Sequence, residues 1–142
     1  MEQKESEILL KDLSGRLPYG VIVKLVNSEV PEKLLRIDCE DEYSCVSTKR
    51  GVYYPEDVKP YLRPLSSMTE KEKKEFLNAD MDDLKICCEA MQKKLQMDSN
   101  EETVYAMYHH VDWLDKYMFD YRGLIPMGLA LEAPEGMYQM EE

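Results

Sequence analysis

Two short segments join tyrosines to basic side chains at spacings that suit binding. Residues 53–64 read Tyr53-Tyr54-Pro55-Glu56-Asp57-Val58-Lys59-Pro60-Tyr61-Leu62-Arg63-Pro64, and residues 117–123 read Tyr117-Met118-Phe119-Asp120-Tyr121-Arg122-Gly123. Tyrosine offers a rigid amphipathic ring, and arginine a planar fork that grips carboxylate or phosphate. Tyr54, Lys59, Tyr61, Arg63, Asp120, Tyr121 and Arg122 are therefore the candidate binding residues. Asp120 stands beside Tyr121 and Arg122 at an expected helix end, where its carboxylate would orient Arg122. The competing reading is that the tyrosines cover the edge of the core and the arginines pair with local carboxylates.

Catalytic patterns are missing. The chain has no GxxxxGK[ST] loop, no GxGxxG, no GxSxG elbow and no HExxH, and its acids do not follow EF-hand spacing. His109 and His110 are adjacent, so on a helix they point about 100° apart and cannot chelate one metal as an i, i+4 pair does. The sequence nominates no group to orient either one as a general base. Asp112, Asp115 and Asp120 follow a helical face and the loop beyond it; solvated carboxylates are the better reading, with Asp120 the exception. Cys39, Cys45, Cys87 and Cys88 form no CxxC pair and match no zinc spacing with the histidines. They read as reduced, mostly buried thiols. No catalytic residue, metal or cofactor is expected.

Charge narrows the partners. The net charge is −11. Residues 1–66 hold 12 acids and 10 bases, while residues 67–142 hold 17 acids and 8 bases. Such a chain is no general nucleic-acid binder, because phosphate attraction needs a basic face. An anionic ligand is repelled least by the front half. No apolar run is long enough to cross a bilayer, and Met1 to Glu7 lack the basic start and apolar core of a secretory signal. The expected location is the cytoplasm.

The elements that must position these residues can be read next, and the chain fits one domain. Residues 6–14 read as a helix capped by Ser6 and ended by Gly15. Short strands follow over about 17–63. Val21, Val23 and Leu25 share one face, Leu35, Ile37 and Cys39 point inward, and turns fall at Asp41-Glu42 and Lys49-Arg50-Gly51. Pro55 to Val58 form a helical turn, and Lys59 to Leu62 a last edge strand. This predicts an α+β chain whose N-terminal antiparallel meander resembles a small SH3-like barrel, with a helical C-terminal half. Residues 64–68 are the hinge. Thr69 and Glu72 form a capping box for a helix ending near Asn78. Asp80 caps a second helix with Leu84, Met91 and Leu95 inward. A third runs from Ser99 to about Met118, with Val104, Met107, Tyr108, Val111, Leu114 and Met118 on one stripe. The apolar tail 120–138 packs back on the domain, with a short strand near Leu129 to Glu132.

Three phrases carry a resemblance: Leu10-Lys11-Asp12-Leu13 through Arg16-Leu17-Pro18-Tyr19-Gly20-Val21; Asp57 through Thr69; and Asp112-Trp113-Leu114 through Phe119-Asp120-Tyr121-Arg122-Gly123-Leu124-Ile125 to Gly128 and on to Tyr138. They resemble a family of small uncharacterised proteins of prophages and mobile elements of anaerobic gut bacteria. Residues 27–50 and 79–105 match less, and Tyr117-Met118 stands where relatives tend to carry a histidine pair. The family supplies no catalytic residues. The resemblance implies a phage accessory protein made inside a bacterium. The expected function is a non-enzymatic protein-interaction module that binds a host or phage protein and so modulates replication, packaging or defence. The alternative is a sponge for a nucleotide second messenger of host defence, held by Lys59, Tyr61, Arg63, Tyr121 and Arg122. The abundance of Met and Tyr is compatible with a homodimer.

Overall fold

The computed structural model describes residues 3–39, 44–78 and 109–138. The chain is α+β. It divides into two compact units, residues 1–65 with 115–142, and residues 66–114.

The first unit opens with helix α1, Gln3–Arg16. Leu9 and Leu13, one turn apart, are fully buried, and Ile8 and Leu10 pack beside them. Gly15 does not end this helix. The chain passes through Arg16 into a 3-10 turn, Leu17–Tyr19, and the left-handed residue that closes the turn is Gly20, with φ 81°.

Four strands make the first sheet. β1 is Ile22–Leu25, β2 Glu32–Lys33, β6 Val58–Leu62 and β7 Leu131–Glu132. Their order is β2-β1-β6-β7. The apolar alternation of β1 is realised as expected, with Val21, Val23 and Leu25 buried. Val58, Pro60 and Leu62 face the same core from β6. The stretch expected as an edge strand is thus interior: β6 pairs antiparallel with β1 on one side and parallel with β7 of the tail on the other. The strand near Leu129 to Glu132 is present, and Leu129 and Ala130 just before it are buried.

Three strands make the second sheet, an antiparallel meander: β3 Arg36–Cys39, β4 Ser44–Thr48 and β5 Gly51–Tyr53. Ile37, Val46 and Tyr53 lie in one cross-strand row and pack on the common core. Leu35 and Cys39 are exposed, against the expected alternation, and Leu34 is buried instead. The reason is a change of sheet. The Leu34 N–H donates to Val21 O of the first sheet, and the Leu35 N–H donates to Ser47 O of the second. The side-chain alternation is broken at that step. The described strands form two open sheets, with no closed barrel. The turn expected at Asp41-Glu42 lies outside the described residues.

Between β5 and β6, Pro55–Asp57 form the expected single helical turn. In the second unit, helix α2 is Glu70–Asn78. Its capping box is complete: the Thr69 N–H donates to Glu72 Oε1 at 3.0 Å, and the Glu72 N–H donates to Thr69 Oγ1 at 3.1 Å. Residues 109–116 are helical, and Met118 just beyond them takes a left-handed φ of 63°. In the second unit Phe76 packs on the rings of His110 and Trp113, with centroids 4.7 and 5.3 Å apart. The helix expected from Asp80, and most of the one from Ser99, lie outside the described residues, as do Cys87 and Cys88.

Candidate functional site

The seven residues nominated from sequence fall into separate places. Tyr121 and Arg122 join a buried ionic cluster whose other members are Asp12, Arg16 and Asp115. α1 supplies Asp12 and Arg16, one turn apart, so the pair is bidentate: Nε–Oδ2 2.8 Å and Nη2–Oδ1 3.1 Å. Both side chains are fully buried. Arg16 Nη2 also donates to Phe119 O at 2.6 Å, which ties α1 to the segment entering the tail. Arg122 Nη1 donates to the other side of the cluster, to Asp12 Oδ1 at 2.8 Å and to Tyr121 Oη at 2.6 Å. The Tyr121 hydroxyl donates onward to Asp115 Oδ1 at 2.7 Å. Asp115 Oδ1 lies 3.8 Å from Arg16 Nε. Two carboxylates and two guanidiniums therefore balance one another around one phenol.

Burial shifts two groups of the cluster toward their neutral, protonated forms. Burial pushes the Asp115 carboxyl above its ordinary value, against the opposing Tyr121 hydrogen bond and Arg16 charge. Burial and the bond to Asp115 push Tyr121 up to about 12. A tyrosine held that firmly protonated is a poor base or nucleophile near neutrality. Arg16 Nη1 is buried and has no hydrogen-bond partner among the described residues.

Asp120 does not orient Arg122. Its carboxylate accepts the N–H groups of Leu124 at 2.8 Å and Ile125 at 2.9 Å, and so caps the first turn of the tail. Its own N–H donates to Arg63 O, and the Arg63 N–H donates to Met118 O. The Arg63 guanidinium lies over the Phe119 ring, 4.2 Å from its centroid. Arg63 and Asp120 thus fasten β6 to the chain after residue 118. Arg122 is directed at Asp12 and Arg63 at Phe119, so the two arginines have different partners.

Lys59 and Tyr61 are outward on β6. Lys59 stands directly opposite Lys24 of β1. Lys33 of β2 stands opposite Ile22 on the same face. Tyr61 pairs with Leu131 of β7. The outward register positions of this sheet are therefore Ile22, Lys24, Lys33, Lys59, Tyr61 and Leu131, and the exposed Glu132 follows Leu131 on the edge strand β7. Tyr54 stands apart at the start of the Pro55 turn and is 53% exposed, near Val52 at 64%.

Sequence pattern does not single out Asp12, Arg16, Lys24 or Lys33, and Asp115, expected on a solvated face, is buried. The i, i+4 spacing of Asp12 and Arg16 on the apolar side of α1 was an available signal, because a charged pair beside Leu9 and Leu13 must be buried together. Nothing local marks Lys24 as a partner of Lys59, since pairing register is a long-range fact. Among the described residues no group of three His, Cys, Asp or Glu side chains is placed to hold a metal, and no helix is long and apolar enough to cross a membrane.

No family model, curated protein or solved structure matches the chain.

Proposed function

We propose that the chain is a non-enzymatic, phage-type accessory protein that works as a protein-interaction module inside a bacterial cell. The observation that carries this reading is the mutual pairing in the ionic cluster: Asp12, Arg16, Asp115, Tyr121 and Arg122 are engaged with one another, with only Arg16 Nη1 left over. The groups that might have done chemistry hold the fold together. What remains open to a partner is a set of exposed side chains, among them Tyr54, Val52 and Lys59. Solvent-facing apolar and aromatic residues are the usual material of a protein interface.

The nucleotide-sponge reading draws less support. It relied on Arg63, Tyr121 and Arg122 together with Lys59 and Tyr61, and the first three have structural duties. Lys59 and Tyr61 remain.

The test is reconstitution. The tagged chain is used to capture proteins from a bacterial host lysate, the recovered candidate is purified, and the two are mixed and run by size exclusion. A stoichiometric complex is expected. Failure to form one with any purified candidate, alongside a thermal shift with a cyclic or ADP-ribose-type nucleotide, would turn the assignment to the sponge.

A further inference from the structure

The outer face of the first sheet carries an electrostatic cost that the fold does not need. Lys24 and Lys59 are direct cross-strand neighbours. Like charges in that position are destabilising, with Cβ atoms about 4.5–5.5 Å apart. Lys33 is the diagonal neighbour of Lys24 across β1 and β2, and its side chain runs toward Gly20. None of the three lysines has an ion pair or hydrogen bond among the described residues, as holds for the solvent-facing Lys11 and Lys49 too. This happens in a chain of net charge −11, where carboxylates are the commonest charged groups. The face also has an apolar centre. Ile22, Tyr61 and Leu131 are half-buried there, and the Tyr138 hydroxyl closes one end by bonding the main chain of Ile22 and Tyr61.

We infer that this face is a docking surface for a protein partner that presents an acidic, partly apolar segment. The inference rests on the interaction-module reading and names where the partner sits. Charge complementarity selects the occupant: carboxylates from the partner would neutralise Lys24, Lys33 and Lys59, and its apolar side chains would cover Ile22, Tyr61 and Leu131. Binding would relieve the Lys24–Lys59 repulsion, so the same pair that weakens the free fold strengthens the complex. The outward alternation of lysine and apolar positions favours a partner segment whose acidic and apolar residues alternate too.

This predicts a trade of stability against binding at a single residue. Lys59→Glu places a carboxylate opposite Lys24, so it should raise the thermal midpoint of the full chain. It should also weaken binding of a fluorescein-labelled peptide of alternating glutamate and leucine by about tenfold or more at low salt, read by anisotropy. Lys11→Glu, on the exposed side of α1, makes the same change in net charge away from the face and should leave peptide binding near that of the wild type. Three results overturn the inference: no peptide binding by the wild type, equal losses in Lys59→Glu and Lys11→Glu, or tripolyphosphate binding at this face in place of the peptide. The module reading is judged separately. A reconstituted partner that binds Lys59→Glu as well as wild type would remove this face and leave the module standing. Peptide binding on the face with no reconstituted partner would keep the face and remove the module.

Discussion

Arg122 reaches back across 110 positions of the sequence to donate to Asp12, with Nη1 and Oδ1 2.8 Å apart. Asp12 already holds Arg16 in a bidentate pair. One carboxylate therefore joins the first helix to the tail, and it is fully buried while Arg122 stays 30% exposed. The two ends of this contact should differ in weight. Asp12→Ala strands the buried Arg16 guanidinium without its main partner, and should cost about 3–5 kcal/mol. Arg122→Ala removes a partly solvated cation and should cost about 1 kcal/mol. Urea midpoints of both variants check this, and equal losses would contradict the asymmetry.

Gly15 is the closest approach in the cluster. A Cβ built there would stand 2.7 Å from Asp115 Oδ2. In an ordinary helix interior, Gly→Ala stabilises by up to about 1 kcal/mol. Here Gly15→Ala should have the opposite sign, with a cost on the order of 1–3 kcal/mol as Asp115 is pushed off Tyr121. In an Asp115→Ala background the obstacle is gone, and the same substitution should become neutral or stabilising. A double-mutant cycle by thermal unfolding reads the coupling directly. Simple additivity would show that the close approach carries no energy.

How far the sequence could be read follows from the range of each interaction. The α1 helix, the capping box of Thr69 and Glu72, the buried face of β1 and the turn at Lys49-Arg50-Gly51 are local, and local pattern specifies them. A glycine near a helix end usually marks a stop, but the use of Gly15 depends on the carboxylate of Asp115, 100 residues away. Leu35 and Cys39 were placed inward because alternation assumes one continuous strand, and the crossing between sheets at Leu34 breaks it. Nearness in sequence pairs Asp120 with Arg122, but the main-chain N–H groups of Leu124 and Ile125 are the donors its carboxylate accepts. The Lys24–Lys59 pair needed the register of β1 against β6, which no local signal holds.

Asp115 gives the cluster a pH dependence in the acid range. Its carboxyl is raised in the folded state, so folding favours the protonated form. That contribution is fully present below the ordinary aspartate value of about 3.9 and is lost as pH rises through the raised folded value. Asp115→Asn keeps an acceptor for the Tyr121 hydroxyl but cannot ionise. The stability of the wild type relative to Asp115→Asn should therefore fall as pH rises from about 4 toward neutrality. Parallel stability profiles for the two proteins over this range would refute the assignment.

Tyr138 should behave in the opposite range. Its hydroxyl donates to Tyr61 O at 2.7 Å and accepts the Ile22 N–H at 2.9 Å, bridging β1 and β6 where their ladder ends. Burial pushes it up to about 12, against the lowering effect of the Ile22 N–H. Tyr121 is pushed to about the same value. Both tyrosines keep their protons in the fold at a pH where the unfolded chain loses them. Their contribution is complete below about 10, the ordinary value, and is lost as pH rises toward 12. Tyrosinate absorbance should show Tyr121 and Tyr138 titrating late, and Tyr138→Phe and Tyr121→Phe should each remove one late-titrating group. At neutral pH Tyr138→Phe leaves the Ile22 N–H and the Tyr61 carbonyl without their partner, at a cost of about 1–3 kcal/mol. Faster amide exchange at Ile22 in Tyr138→Phe, with the buried Leu9 amide of α1 keeping its protection, would place the loss at the tail contact. Uniform acceleration of both would mean that the hydroxyl has no local bridging role.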